Sequence, residues 1–414
     1  MSSLERVVTL EEAKAALDKF WRPKPNNVFV SASQAVGWVS AVEVKSKIDV
    51  PPFDRATYDG FAVRAADTFG AAENSPVELK LVGRILAGTW PKMHLRSGSS
   101  VEITTGAPLP PGADAVVMSE YAVADGESVK IYRAVSPGEN ITKKGSDIKK
   151  GQTVIGRLKQ LNYLDVAVLA AVGVNKIMVR NRPKVAIIST GSELMEPGTK
   201  LRPGKIYDVN TTSLSEAVKT CGAEPVVLGI ISDRFSAIRA AVNRGVKVAD
   251  VVLISGGSSV GVGDITPRAI GSLGRPGVVV HGIAMKPGKP TFIAVVKNKP
   301  IFGLPGYPVS ALMVFDQLVA DYLHELSGVP RGRKSVVQAK LATKVLSARG
   351  RRELIPVKLV GRDGQKFAEP ILKGSGAITS LSTADGYIEV PLEREIVDEG
   401  ETVEVKLFWG SEFV

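Results

Sequence analysis

Residues 249–268 read ADVVLISGGSSVGVGDITPR, and their order of side chains decides the fold. Val251 to Ile254 is a short, unbroken apolar run, the form a strand takes when both faces of a parallel sheet are covered. The run breaks into Ser255-Gly256-Gly257-Ser258-Ser259 and then Gly261-Val262-Gly263. Glycines there let the backbone reach positive φ or approach a ligand closely. Asp264 follows, and Thr266-Pro267 predicts a helix start, since proline fits the first helical turn. A strand, a glycine loop and a helix N-terminus turn backbone N–H groups toward an anion. An acid beside that anion, here Asp264, points to a bridging divalent cation. The loop is neither GxxxxGK[ST] nor a GxGxxG opening a first βα unit, so neither an ordinary nucleoside triphosphate nor NAD is indicated.

On both sides of this stretch, strands and helices alternate, the sign of a parallel sheet. Val185–Ser189 predicts a strand followed by Thr190-Gly191-Ser192-Glu193. Leu214, Ala217, Val218 and Cys221 share one helical face that ends at Gly222, making Cys221 a buried core thiol. Val226–Ile231 is a strand, and Ser232 precedes a helix with Phe235, Ile238 and Val242 on one face. Strands are expected at Val278–Gly282, Phe292–Val296 and Pro300–Gly303, then a helix from Val309 to Leu326. Residues 180–329 therefore read as a doubly wound α/β domain. Ligands of such sheets sit beyond the carboxyl ends of the strands. Glu193, Asp233, the Gly256-Gly257-Ser258 loop with Asp264, and Lys286 to Lys289 should converge there.

The rest of the chain reads differently. Thr9 and Glu12 form a capping box for a helix to Trp21, a surface helix with no chemistry. Residues 48–137 are β-rich, with a turn-rich PPFDRATYDGFAVRAAD at 51–67, a TTGAPLPPG loop at 104–112 and a hairpin around Asp125-Gly126. A helix is expected near 161–172 and a boundary at Arg180-Asn181-Arg182-Pro183. Beyond Pro330, short strands at regular spacing predict a small β-barrel.

The chain has 414 residues and a formal net charge of +11. That charge favours an anionic partner. The basic residues are dispersed and not interleaved with aromatics, so nucleic acid is not the expected partner, and a phosphorylated small molecule is. No stretch approaches the roughly 18 apolar residues of a membrane span. MSSLERVV is no signal peptide, so a cytoplasmic protein is expected. One cysteine and three scattered histidines leave a hard ion on carboxylates as the expected metal chemistry. Asp59, Glu193, Asp233 and Asp264, set against Lys286 and Lys289, are such a set: carboxylates to hold Mg²⁺ at a phosphate, cations to offset developing charge.

Six motifs occur in order: PPFDRATYDGFAVRAADT, TTGAPLPPGADAVVM, STGSELMEPG, ISGGSSVGVGD, IAMKPGKPT and FGLPGYPVSAL. Together they resemble the molybdopterin molybdenumtransferase family, which includes MoeA and the gephyrin E domain, from about Ala32 onward. The resemblance implies an elongated linking domain (1–47 and 138–179), a β-rich domain inserted in it (48–137), a molybdopterin-binding α/β domain (180–329) and a C-terminal β-barrel (330–414). It implies a cytoplasmic homodimer that takes adenylylated molybdopterin and molybdate to molybdenum cofactor and AMP, with Mg²⁺. Asp59, Thr105, Glu193, Asp233, Asp264, Lys286 and Lys289 match functional positions of the family by motif, with Glu193 and Asp264 as the metal ligands. Gly256, Gly257 and Ser258 would contact the substrate, and Pro305 and Pro308 belong to a motif beside it. Two positions depart from the family pattern: Tyr307, where asparagine is frequent, and Ser258, where valine is. The resemblance also carries two alternatives, a tungstate-inserting version of the enzyme and a scaffold protein like the gephyrin E domain. It implies that the partner protomer supplies the domain bearing Asp59 and Thr105.

Overall fold

The computed structural model describes residues 7–256, 265–332 and 334–408. The chain forms two compact units, residues 29–178 and residues 1–28 with 179–414.

The first helix, α1 (Leu10–Asp18), is opened by the expected capping box, Thr9 to Glu12. Helix α1 is part of the second unit. Leu10, Ala13, Leu17 and Trp21 are buried in the same cluster as Val280, Ile283 and Tyr322. Trp21 meets the Tyr322 ring edge-on at 5.7 Å, and Lys14 Nζ reaches Asp321 at 2.6 Å. The periodicity shows which face of this helix is apolar, but not which sheet receives it.

Residues 29–178 carry a six-stranded sheet. Its strands are β1 (Gly60–Val63), β2 (Val77–Ile85), β3 (Ser99–Ile103), β4 (Ala115–Met118), β5 (Ala122–Asp125) and β6 (Ser128–Ile131), in the order β4-β1-β3-β2-β6-β5. The hairpin expected at Asp125-Gly126 joins β5 to β6. Helix α2 (Tyr163–Ala171) lies where expected and is capped by Asn162.

The α/β sheet consists of β7 (Lys184–Thr190), β8 (Glu224–Ile231), β9 (Val251–Ser255), β10 (Gly277–His281), β12 (Phe292–Val296) and β13 (Lys299–Leu304), with the short β11 (Met285–Lys286) between β10 and β12 in the chain. Its order is β8-β7-β9-β13-β12-β10. The β8, β7, β9 and β13 neighbours are parallel, while β12 and β10 add antiparallel. The antiparallel edge arises from the two-residue turn Lys297-Asn298, whose φ angles of 51° and 58° suit a tight hairpin that no glycine announces. One face of the sheet packs against α1, α3 (Val209–Thr220), α6 (Pro308–Val314) and α7 (Ala320–Ser327). The other packs against α4 (Phe235–Val248) and α5 (Ile265–Gly271). β9, with every residue buried, runs between these two layers, as its apolar run predicts. Cys221 is buried on the α3 side, which pushes its thiol up to about 11.

The helix expected over 309–326 is interrupted by a π turn at Phe315–Val319 and ends at Gly328 with φ 74°. Beyond it, β14 (Val336–Leu341), β16 (Arg352–Arg362), β17 (Gln365–Pro370), β18 (Gly386–Val390) and β19 (Thr402–Leu407) close into a five-stranded barrel around Leu341, Val357 and Val405. The two-residue β15 (Val345–Leu346) lies between β14 and β16 in the chain. β11 joins the outer edge of β16 in parallel, with Lys286 paired to Glu353.

Candidate functional site

Parallel strands deliver their carboxyl ends to one rim. β7 ends at Thr190, β9 at Ser255 and β13 at Leu304, and these strands are neighbours in register: Ser189 opposite Ser255, Ser255 opposite Leu304. The backbone leaves β9 through Gly256 at φ 96°. A Cβ there would lie 2.0 Å from the Thr190 carbonyl oxygen, so no other residue fits. Asn210, at the start of α3, ties the rim together. Its Nδ2 donates to Ser255 Oγ at 2.7 Å and to the Gly306 carbonyl at 2.8 Å. Asn210 Oδ1 and Thr190 Oγ1 are buried there with no hydrogen-bond partner among the described residues.

Glu193 and Asp233 are exposed on the same rim. Asp233 Oδ2 accepts from the Ser192 backbone N–H at 3.2 Å, linking the loops after β7 and β8. The Glu193 carboxylate folds back over Gly191, where a Cβ would stand 2.8 Å from each of its oxygens. Pro305 belongs to the same rim, and Pro308 opens α6. Of the groups expected to converge, the loops bearing Glu193 and Asp233 are joined by the Ser192–Asp233 hydrogen bond, and Gly256 lies beside Thr190 at the end of the neighbouring strand. Gly257, Ser258 and Asp264 lie outside the described residues.

Past β13 and β11 a cleft of about 620 Å³ opens between the α/β sheet and the barrel. Lys286, Lys289, Pro305 and Tyr307 line one side, and Arg351, Glu353 and Ser375 the other. Lys286 Nζ contacts Glu353 Oε1 at 2.8 Å. Tyr307 is 65 % exposed, so a larger ring at this position of LPGYP is accommodated at the cleft mouth without entering the core. Arg351, Glu353 and Ser375 lie in no motif that marks them as lining this cleft. The run Arg349-Gly350-Arg351-Arg352-Glu353 was the available signal, but nothing local says that the barrel turns it toward the lysines.

In the other unit, Asp59 and Thr105 form a compact pair. Asp59 Oδ1 accepts from the Thr105 backbone N–H at 2.6 Å and from its hydroxyl at 2.9 Å. The N–H first, and the hydroxyl second, hold this exposed carboxyl below the usual aspartate range. Gly60 is required behind it: a Cβ there would meet the Val117 carbonyl oxygen at 1.9 Å.

Among the described residues, no group of three His, Cys, Asp or Glu side chains is close enough to hold a metal ion. Glu193 offers exposed hard oxygen donors at the rim, a chemistry that suits Mg²⁺. Also among the described residues, no helix is long and apolar enough to cross a membrane.

Three family models match the chain in sequence: the MoeA N-terminal region (domain I and II) over residues 8–173, the probable molybdopterin binding domain over 186–325, and the MoeA C-terminal region (domain IV) over 338–408. A putative molybdopterin biosynthesis protein of Methanocaldococcus jannaschii is 34 % identical, with 98 % of this chain and 97 % of the relative covered. Molybdopterin molybdenumtransferase 2 of Mycobacterium tuberculosis is 34 % identical over 91 % of this chain and 94 % of its own. The crystal structure of a molybdopterin biosynthesis MoeA protein from Pyrococcus horikosii superposes with a TM-score of 0.84 at 45 % identity, covering 98 % of this chain and all of the other.

Proposed function

The chain belongs to the MoeA family, and from that premise we propose that it is a molybdopterin molybdenumtransferase that inserts molybdate into adenylylated molybdopterin and releases AMP, with Mg²⁺. The observation that carries this reading is the placement of two kinds of charge in one unit. Exposed carboxylates, Glu193 and Asp233, stand on the strand-end rim, and Lys286, Lys289 and Arg351 line the adjoining cleft. Pro305 belongs to both.

Each chemical need of the reaction then has candidate groups. The pterin and its phosphate occupy the rim at Gly256, where glycine lets the backbone approach and where Thr190 and Asn210 keep polar atoms in reserve. The dianionic molybdate binds against Lys286, Lys289 and Arg351. As the bond to AMP breaks, negative charge accumulates on the departing phosphate, and the same cations stabilise it. Glu193 with Asp264 would hold Mg²⁺, which when bound offsets charge on the phosphate oxygens. Asp233 steadies the Glu193 loop through the Ser192 N–H. Tungstate matches molybdate in shape and charge, so the same residues would serve it. Loading both metals in competition onto an acceptor enzyme separates the two substrates.

The direct experiment incubates the purified protein with adenylylated molybdopterin, Mg²⁺ and molybdate, and follows AMP. Release that depends on the oxyanion is expected. No release above a protein-free control overturns the assignment.

A further inference from the structure

The Lys286 ammonium is anchored from behind. Its partner Glu353 uses one carboxylate oxygen for Lys286 Nζ at 2.8 Å and the other to accept from Ser347 Oγ at 2.8 Å. The pair is unequal in burial: the Glu353 side chain is 10 % exposed and that of Lys286 52 %. The carboxylate is also the better fixed of the two. It sits on β16, the long barrel strand, at the residue paired with Lys286 of β11.

An ammonium half in water needs no partner, because water solvates it well. A buried carboxylate does carry a desolvation cost, and such pairs are frequently no more stable than apolar residues of the same volume. Stability is therefore a poor reason for Glu353. Its location makes the question sharper. Lys286, Lys289 and Arg351 line the cleft, and Glu353 is the carboxylate among the described charged lining residues. A negative charge in the wall of an anion site repels the ligand. Among the described lining residues, three cations against one carboxylate do, however, leave two net positive charges, the complement of a tetrahedral dianion.

We propose that Glu353 is a positioning residue for Lys286: it holds the flexible ammonium at one point on the cleft wall, so that the oxyanion meets an oriented donor, and it matches the charge of the cleft to a dianion. This rests on the reading above that Lys286 binds the oxyanion. The role has two effects of opposite sign. Glu353 weakens binding through its charge, and it raises turnover by fixing the geometry of the bound oxyanion.

Glu353→Gln in the full-length protein separates the two, because it keeps the shape and removes the charge. Molybdate titrated by calorimetry at low salt should bind about threefold more tightly, since one repulsive charge is gone. AMP release at saturating molybdate should fall about tenfold, since the ammonium is no longer held. Loss of a merely structural residue would lower binding and turnover together. Ser347→Ala loosens the carboxylate without altering any charge, and it decides the matter if Glu353→Gln does not fold: turnover should fall about threefold with molybdate affinity unchanged. Wild-type turnover in whichever of these variants folds, or a parallel loss of affinity and turnover, overturns the proposal. Lys286→Met tests the underlying reading separately. If it binds molybdate as the wild type does, Lys286 is not an oxyanion ligand and the positioning role goes with it. If it loses binding while Glu353→Gln is indistinguishable from wild type, the oxyanion assignment stands and only the role of Glu353 is overturned.

Discussion

Asp59 is exposed, yet its carboxyl is held below the ordinary range by the Thr105 N–H and then by the Thr105 hydroxyl. A depressed folded-state pKa means that the ionised form persists as the pH falls and is lost only when the pH passes through the folded value. Thr105→Val removes the hydroxyl and keeps the N–H. The Asp59 carboxyl should then protonate at a higher pH, though still below a free aspartate, because the larger cause is untouched. Carbon-detected NMR titration of the carboxyl reads this directly, and the acid limb of AMP release should move up in step. An unmoved titration would show that the hydroxyl contributes nothing. At the lysines the relevant variable is salt. Lys286 and Lys289 are both exposed, so the attraction they exert on an oxyanion is screened within about 8–10 Å at physiological salt. Lys286→Ala with Lys289→Ala should weaken molybdate binding by about tenfold or more at low salt, and the deficit relative to wild type should shrink as salt is raised. A salt-independent deficit would assign the lysines to packing.

At the scale of single elements, what a sequence shows is what neighbours along the chain decide. The capping box Thr9–Glu12, the buried strand Val251–Ser255 and the Asp125-Gly126 hairpin are all local, and each forms where the residues predict. The elements that read differently depend on distant partners. The helix after Pro308 has an unbroken apolar face in sequence, but it widens into a π turn at Phe315–Val319. Within that turn the Asp316 carbonyl accepts from Arg331, and the Asp316 carboxylate pairs with Lys334 at 2.5 Å, both from beyond the helix. The antiparallel edge at β12 and β13 follows from two non-glycine residues taking positive φ, which no composition rule marks. Helix α1 is the clearest case, since its amphipathic face is legible and its destination is not. Leu17 is fully buried in the α/β core, so Leu17→Ala should cost about 2–5 kcal/mol in denaturant unfolding. A loss under 1 kcal/mol, the size seen for surface positions, would mean that α1 docks only loosely.

For the whole molecule the question is how Asp59 and Thr105 come to act with Glu193 and Lys286. They belong to two compact units of the chain. If all act on one substrate, some arrangement must unite them, and the family resemblance supplies one: a two-fold dimer in which each protomer lends its β-rich domain to the site of its partner. The candidate residues were legible because each sits in a short motif, but no local pattern carries how residues of the two units are brought together. That arrangement makes a prediction independent of any single side chain. Asp59→Ala and Lys286→Ala proteins are each expected to be inactive in AMP release. When their subunits are allowed to exchange, a mixed dimer has one site with both defects and one site with neither. Random exchange makes half of the dimers mixed, and each mixed dimer has one intact site in two, so activity should recover to about one quarter of the wild-type level. Sites built within one protomer would give no recovery, since every site would keep one defect. Exchange is verified by mass spectrometry of differently tagged chains. If mixed dimers form and AMP release stays at background, the shared-site arrangement is wrong and each protomer must complete its own site.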